Sequence, residues 1–180
     1  MRGGREDVLE AVFTFATKVG PCQGVVRFLA DPADSNRQKV WTLMTSLREI
    51  SGFEETIGAA RPTGHAYSRD FRGPNWRDRR NISVAYDDRD PEVLVVGGGQ
   101  AGLSIAARLT QLGVDTLVVD QEERVGDNWR KRYHALVLHN QVHVNHLPYM
   151  PFPPNWPTYI PKDKLAGWFE YYAEAMEINF

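Results

Sequence analysis

Val93-Leu94-Val95-Val96-Gly97-Gly98-Gly99-Gln100-Ala101-Gly102 is the stretch whose reading decides the fold. Its four leading apolar residues read as a short strand of a parallel sheet, buried on both faces. Glycines then follow in the spacing G-x-G-x-x-G at Gly97, Gly99 and Gly102, and a helix is predicted to open at about Gln100. Gly97 permits a tight turn, Gly99 lets backbone approach a pyrophosphate, and Gly102 lets the helix pack on the strand. The first N–H groups of such a helix have no intrahelical acceptor and lie at the positive end of its dipole. An anionic dinucleotide suits that position.

Downstream, Gly102, Ile105, Ala106, Leu109 and Leu112 recur at helical spacing and predict one apolar stripe against the sheet, with Gly113 as the stop. Val114 to Asp120 predicts a second strand, Thr116-Leu117-Val118-Val119, ending in an acid. An acid roughly twenty residues beyond a glycine turn can accept a hydrogen bond from a ribose hydroxyl. Strand, turn, helix, stop, strand and acid together outline a βαβ unit. A kinase-type glycine loop lies between two strands and does not fit the helical Leu103 to Leu112. A turn that packs two elements without a ligand, with Asp120 as a cap, is the simpler alternative.

The 180 residues are 42% hydrophobic with net charge −2, so there is no basic surplus to suggest nucleic acid. A single cysteine, Cys22, excludes an internal disulfide, a cysteine-rich metal cluster and a C-x-x-C redox pair. The polar start, Met1 to Asp7, leads into no apolar signal region, and no apolar run reaches the ~18 residues that span a bilayer. A cytoplasmic protein without a membrane segment is the expectation.

Residues 1–57 read as an antiparallel β segment. Val8 to Thr17, Gly24 to Leu29 and Val40 to Leu47 are strand-like, with turn signals at Gly20-Pro21 and from Asp31 to Asn36. Three strands with no helix of their own lack a cover for their apolar face, which suggests the end of an upstream domain. Leu47 to Ile57 is open between a short helix and a loop. Residues 58–90 lose periodicity, carry breaks at Arg61-Pro62, Gly64 and Gly73-Pro74, and read as a connector. Trp76 and the arginines Arg77, Arg79 and Arg80 either anchor it or form a solvated charged surface. Residues 91–180 form the nucleotide-binding part.

Four histidines, His134, His139, His143 and His146, lack the helical context and the H-E-x-x-H spacing of a metal site, so no metal is expected. Tyr149 to Pro161 is rich in proline and aromatics; alone it reads either as a polyproline ligand or as an ordered loop. Asp163 is the predicted N-cap of a final helix whose stripe is Leu165, Trp168, Phe169, Tyr172 and Met176.

With these motifs in hand, the chain resembles the flavin-containing monooxygenases, the class B flavoprotein type that includes the plant auxin-forming, N-hydroxylating and Baeyer-Villiger groups. The resemblance is carried by VLVVGGGQAGL at Val93 to Leu103, LVVD at Leu117 to Asp120, RVGDNWRKRY at Arg124 to Tyr133, and LVLHN followed by LPYMPFPPNWPTYIPKDKL. It implies a partial Rossmann-like α/β fold that binds FAD, with NADPH as reductant and transfer of one oxygen atom from dioxygen to a small organic substrate. By resemblance, Gly97, Gly99, Gln100, Ala101, Gly102, Asp120 and Gln121 bind the cofactor. In the family the acid is more often Glu than Asp. Gly126, Asn128 and Trp129 would lie along the FAD and Asn140 near the flavin ring as the catalytic candidate; without the resemblance Trp129 reads as a core aromatic and Asn140 as a loop cap, and Arg130, Lys131 and Arg132 either contact the diphosphate or form a solvated charged surface. The Pro-rich stretch becomes an ordered excursion past the flavin.

The family's second glycine motif for NADPH and its F-x-G-x-x-x-H signature do not occur in these 180 residues. The N-terminal meander resembles, more weakly, the last strands of a nuclear-transport-factor-like cone domain. Both ends therefore read as cut, and the chain alone is expected to be inactive towards NADPH. The remaining alternatives are a dehydrogenase or reductase using NAD(P) or FAD, and a non-enzymatic nucleotide-binding fragment. Nothing in the sequence fixes the oligomeric state.

Overall fold

A computed structural model describes residues 8–31, 33–63 and 71–180. The polar residues 1–7, Pro32 in the predicted turn and Gly64 in the predicted connector lie outside the described residues. The chain divides into two compact units, Met1–Glu54 and Glu55–Phe180.

The first unit is an antiparallel meander of β1 (Leu9–Ala16), β2 (Pro21–Asp31) and β3 (Asp34–Leu47), in the order β1-β2-β3. Val12 faces Val25, and Val25 faces Met44, so β-branched and long apolar side chains pair across the ladder. The strands run longer than the sequence suggests. β2 starts at Pro21 and β3 at Asp34, because Asp31 pairs with Asp34 and the polar run from 34 onward is drawn into the ladder. A bulge between Arg27 and Phe28 leaves Trp41 as the extra residue on β3. Val12 stays 70% exposed and Leu43 61%, and no helix belongs to the described residues of this unit. Residues 48–57 are loop, with one bridge between Ile50 and Phe53.

In the second unit, β4 (Val93–Val96) pairs in parallel with β5 (Thr116–Val119), in the register Val93 to Thr116 through Val96 to Val119. Between them runs α2 (Gln100–Gln111). Its end is closed as its residues demand: Gly113 takes φ +76° and its N–H donates to Thr110 O, while Val114 N–H donates to Leu109 O. Beyond α4 one isolated parallel bridge joins the pair, where Asn179 bridges Leu117 and Val118 N–H donates to Asn179 O at 2.8 Å. The sheet order β4, β5, residue 179 is that of one half of a doubly wound fold.

The core lies on one face of this sheet. Leu103, Ala106 and Ala107 of α2 pack with Val118 and with Leu165, Phe169 and Tyr172 of α4 (Lys162–Ala175). The stripe of α2 is therefore rotated from the predicted one, with Ile105 and Leu112 exposed and Leu103 inside. The strand is also not buried on both faces: Leu94 is 56% exposed and Val96 82%. Two layers cover only the side to which α2 and α4 are attached.

α4 starts at Lys162 with Pro161 as its N-cap, so Asp163 is not the cap; it sits in the first turn and pairs with Lys162 Nζ at 2.7 Å. Proline is well suited to a helix start because its missing N–H is not needed there. The predicted connector is not structureless either. It holds a 3-10 turn at Gly58–Ala60 and α1 (Trp76–Ala85), which opens with a capping box between Asn75 and Asp78. Trp76 Nε1 donates to Glu177 at 2.8 Å, and Arg80 donates to Ile178 O and to Asn179 Oδ1. These long-range polar contacts supply what apolar periodicity does not show. No described helix is long and apolar enough to cross a membrane.

Candidate functional site

The glycine turn joins β4 to α2 and is tied to the end of β5. Gly97, at φ +110°, donates its N–H to Val119 O at 2.7 Å, and Gly98 N–H donates to an Asp120 carboxylate oxygen. Gly99 is the N-cap of α2, and its carbonyl accepts from Leu103 N–H at 2.9 Å. A Cβ on Gly102 would lie 1.8 Å from Gly97 O, so only glycine permits this approach of helix to turn. The first amides of α2, at Gln100 and Ala101, belong to the turn of a helix that has no internal acceptors for them.

Asp120 follows β5 directly. Its Oδ1 accepts from Glu122 N–H at 2.9 Å and its other oxygen from Gly98. The Glu122 N–H, then that of Gly98, hold this carboxyl below its ordinary range, so it is anionic throughout the neutral region. Asp120 thus closes a turn and also presents negative charge to a cleft of about 380 Å3 lined by Val96, Gly97, Val119, Asp120 and Gln121. Its lining sets the apolar Val96 and Val119 beside the polar Asp120 and Gln121. Such a lining suits a flat base beside a hydroxyl-bearing sugar.

The element from Gly126 to Trp129 forms the single-turn helix α3 (Asp127–Arg130). Gly126 has φ +89°, and a Cβ there would stand 2.5 Å from Ala166 O, so this glycine is required for packing on α4. Asp127 is buried and takes Arg124 at 3.0 Å and Arg130 at 2.9 Å; Arg130 also reaches Glu170 at 2.6 Å. Arg130 is thereby committed to the α3–α4 junction, and Lys131 pairs with Glu122. Arg132 donates to Asn128 O at 3.2 Å and lies over the Trp129 ring at 6.0 Å. Asn128 is brought to the glycine turn, with Nδ2 3.2 Å from where a Gly99 Cβ would be. Its Oδ1 and Trp129 Nε1 are buried without a partner among the described residues.

Asn140 is exposed in the loop before the 3-10 turn Val142–Val144, and its carbonyl accepts from Asn145 Nδ2 at 3.3 Å. His146 has a local role: its Nδ1 accepts from Phe152 N–H at 3.0 Å. No group of three or more His, Cys, Asp or Glu is placed to hold a metal among the described residues. The Pro-rich stretch is ordered, with Phe152 stacked on Trp156 at 5.0 Å, Trp156 against Trp168 at 5.3 Å, and Ile160 fully buried.

Two participants escape motif reading. Gly98, the middle glycine, is buried, and a Cβ on it would come 2.4 Å from the Phe180 ring. Asp127 is a buried charge; its only sequence signal is the three-residue spacing to Arg124 and Arg130.

Residues 95–155 match the family model of the NAD(P)-binding Rossmann-like domain. Indole-3-pyruvate monooxygenase YUCCA1 of Oryza sativa subsp. japonica is 38% identical over 86 residues, which is 47% of this chain and 21% of that protein. An uncharacterized CzcO-like oxidoreductase of Geobacillus kaustophilus is 39% identical over 90 residues, 48% of this chain and 25% of its own length. Among solved structures, a flavin monooxygenase from Stenotrophomonas maltophilia aligns at 26% identity and TM-score 0.46, covering 49% of this chain and 27% of that one. The chain thus spans about a quarter or less of the curated relatives it matches. Over about half of its own length it is similar to indole-3-pyruvate monooxygenases.

Proposed function

We propose that residues 91–180 are the N-terminal part of an FAD-binding domain, and that the protein to which they belong is an NADPH-dependent flavin monooxygenase acting on a small organic substrate. The observation that carries this reading is the Gly97–Gly102 turn that opens α2, tied through Gly98 N–H to the anionic Asp120, with Gly97 and Asp120 lining one cleft.

The residues fit the cofactor. Gly99, Gln100 and Ala101 would hold the diphosphate, whose charge meets helix amides and no carboxylate of α2's first turn. Asp120 would accept from ribose hydroxyls, and Val96 with Val119 would support the base. The charge of Asp120 also opposes a ribose 2′-phosphate, which favours FAD over NADPH at this turn. When bound, the flavin supplies the redox chemistry. The chain contributes orientation and exclusion of water, through Asn128, Trp129 and the packed aromatic loop from Tyr149 to Pro161. Asn140 is proposed to stand near the ring, and residues 1–57 to close a cone-shaped domain. On this reading the 180-residue chain consumes no NADPH on its own.

Reconstitution is the test. Incubation with FAD followed by gel filtration should leave yellow protein with quenched flavin fluorescence, whereas NADH or NADPH should not be retained. Retention of NADH together with indifference to FAD would transfer the chain to the dehydrogenases.

A further inference from the structure

Four aromatic rings run in contact from the Pro-rich loop to the exposed face of α4. Phe152 stacks on Trp156 with centroids 5.0 Å apart, Trp156 meets Trp168 edge-on at 5.3 Å, and Trp168 stands 5.8 Å from Tyr171. Their surroundings change in order along the row. Phe152 is buried, and the Lys164 ammonium lies 4.7 Å over the half-buried Trp156 ring. Trp168 Nε1 is sealed from solvent and has no acceptor among the described residues, while Tyr171 is 56% exposed. Packing alone does not account for tryptophan at position 168. An indole N–H is a donor only, burying it without an acceptor is unfavourable, and a phenyl ring would pack there with no such group.

We propose that Trp156, Trp168 and Tyr171 form a relay that passes a one-electron oxidising equivalent from the loop to the surface of α4. Indoles and phenols give up an electron far more readily than phenyl rings, so Phe152 closes the inner end of the path. Lys164 opposes a second positive charge on the Trp156 ring and drives the electron vacancy on to Trp168. With its N–H sealed, the Trp168 radical cation has nowhere to send its proton, and the vacancy is not trapped there. Tyr171, open to water, releases a proton as its electron leaves. The balance is that of a hydrogen-atom transfer. An oxygen-centred radical gains one electron and one proton and leaves as alcohol or water; Tyr171 loses one of each and becomes a neutral tyrosyl radical, and a soluble thiol or ascorbate restores the phenol. Protection from such radicals suits a protein that activates dioxygen, and that use rests on the monooxygenase reading. The relay itself requires no bound flavin.

The experiment supplies the oxidant from solution, so its outcome is independent of FAD uptake. The full chain is exposed to azide radicals, which at neutral pH oxidise indole in preference to phenol, and tyrosyl sites are captured with a nitrone spin trap and located by peptide mass spectrometry. Tyr171 should carry more adduct than Tyr133, although Tyr133 is the more exposed at 69%. Trp168→Phe should remove that excess and bring Tyr171 below Tyr133, with no fall in melting temperature, because the stranded N–H is gone. Tyr171→Phe keeps the ring and loses only the hydroxyl; after pulse radiolysis its indolyl absorption should outlive that of the parent. Adduct that follows exposure in the unaltered chain, or an excess at Tyr171 that survives Trp168→Phe, would reduce the row to packing and overturn the relay. An unchanged indolyl lifetime in Tyr171→Phe would do the same.

Discussion

The turn at Gly97 and the turn at Gly126 use the same device to different ends. Both glycines have positive φ, +110° and +89°, and both lead into a helix. A Cβ on Gly97 would meet nothing within 4 Å, while a Cβ on Gly126 would be 2.5 Å from Ala166 O. The first turn faces open space beside the Asp120 cleft, and the second is pressed onto α4. A positive-φ glycine therefore marks a ligand cradle only when the space it frees is left empty by the rest of the fold. When a helix fills that space, the glycine serves packing.

Substitutions separate the two cases. Gly102→Ala places a methyl 1.8 Å from Gly97 O, where neither atom is on a flexible side chain. It should destabilise the chain by about 3 kcal/mol or more and abolish nucleotide uptake, as read by urea unfolding and FAD titration. Gly126→Ala combines left-handed strain with the contact to Ala166 O, for a loss of about 2–3 kcal/mol. FAD affinity of its folded fraction should stay within about threefold of the parent, since one lost hydrogen bond would already exceed that. A collapse of affinity at equal foldedness would erase the distinction between the turns.

A smaller effect is expected from acid. Asp120 is held below the ordinary carboxylate range, first by Glu122 N–H and then by Gly98 N–H. Asp115 is lowered by Arg89, then Tyr86, and Asp127 by Arg130, then Arg124. For each the folded value lies below the unfolded one, so its stabilisation is complete above the unfolded value of about 3.9 and is lost as pH falls through the folded value. Urea midpoints should fall as pH drops from about 5 towards 2. In Asp120→Asn the decline should be shallower, because one of the linked carboxylates is gone. An unchanged slope would mean that the carboxylate does not hold the Gly98 and Glu122 amides.

How much of this was legible in the chain follows from the range of the interactions. Strand, turn, helix, Gly113 stop and second strand are determined by residues a few positions apart, and the βαβ outline from Val93 to Asp120 is present in the fold. Which faces are covered depends on elements far along the chain. The four-residue apolar run at Val93 does not reveal that Leu94 and Val96 remain open, nor does the helical stripe reveal that Leu103 replaces Ile105 inside. α1 escaped notice because it has no buried residues; its anchors are Glu177, Ile178 and Asn179, about a hundred positions away. For the site, the Gly126 spacing suggested a cofactor contact, but only the position of Ala166 shows what that glycine packs against.

Gly99 offers the most direct measurement. Its backbone is extended, φ −79° and ψ −174°, and it is the N-cap of α2, a position where aspartate is among the favoured residues. A Cβ there would have only the end of the Asn128 side chain at 3.2 Å to displace. Gly99→Asp should therefore fold as well as the parent while placing a carboxylate where the diphosphate is to lie. Titrated with FAD, the variant should show at least about a thirtyfold loss of affinity, roughly 2 kcal/mol, with no fall in melting temperature. Undiminished FAD binding by this variant would contradict the glycine turn as the cradle.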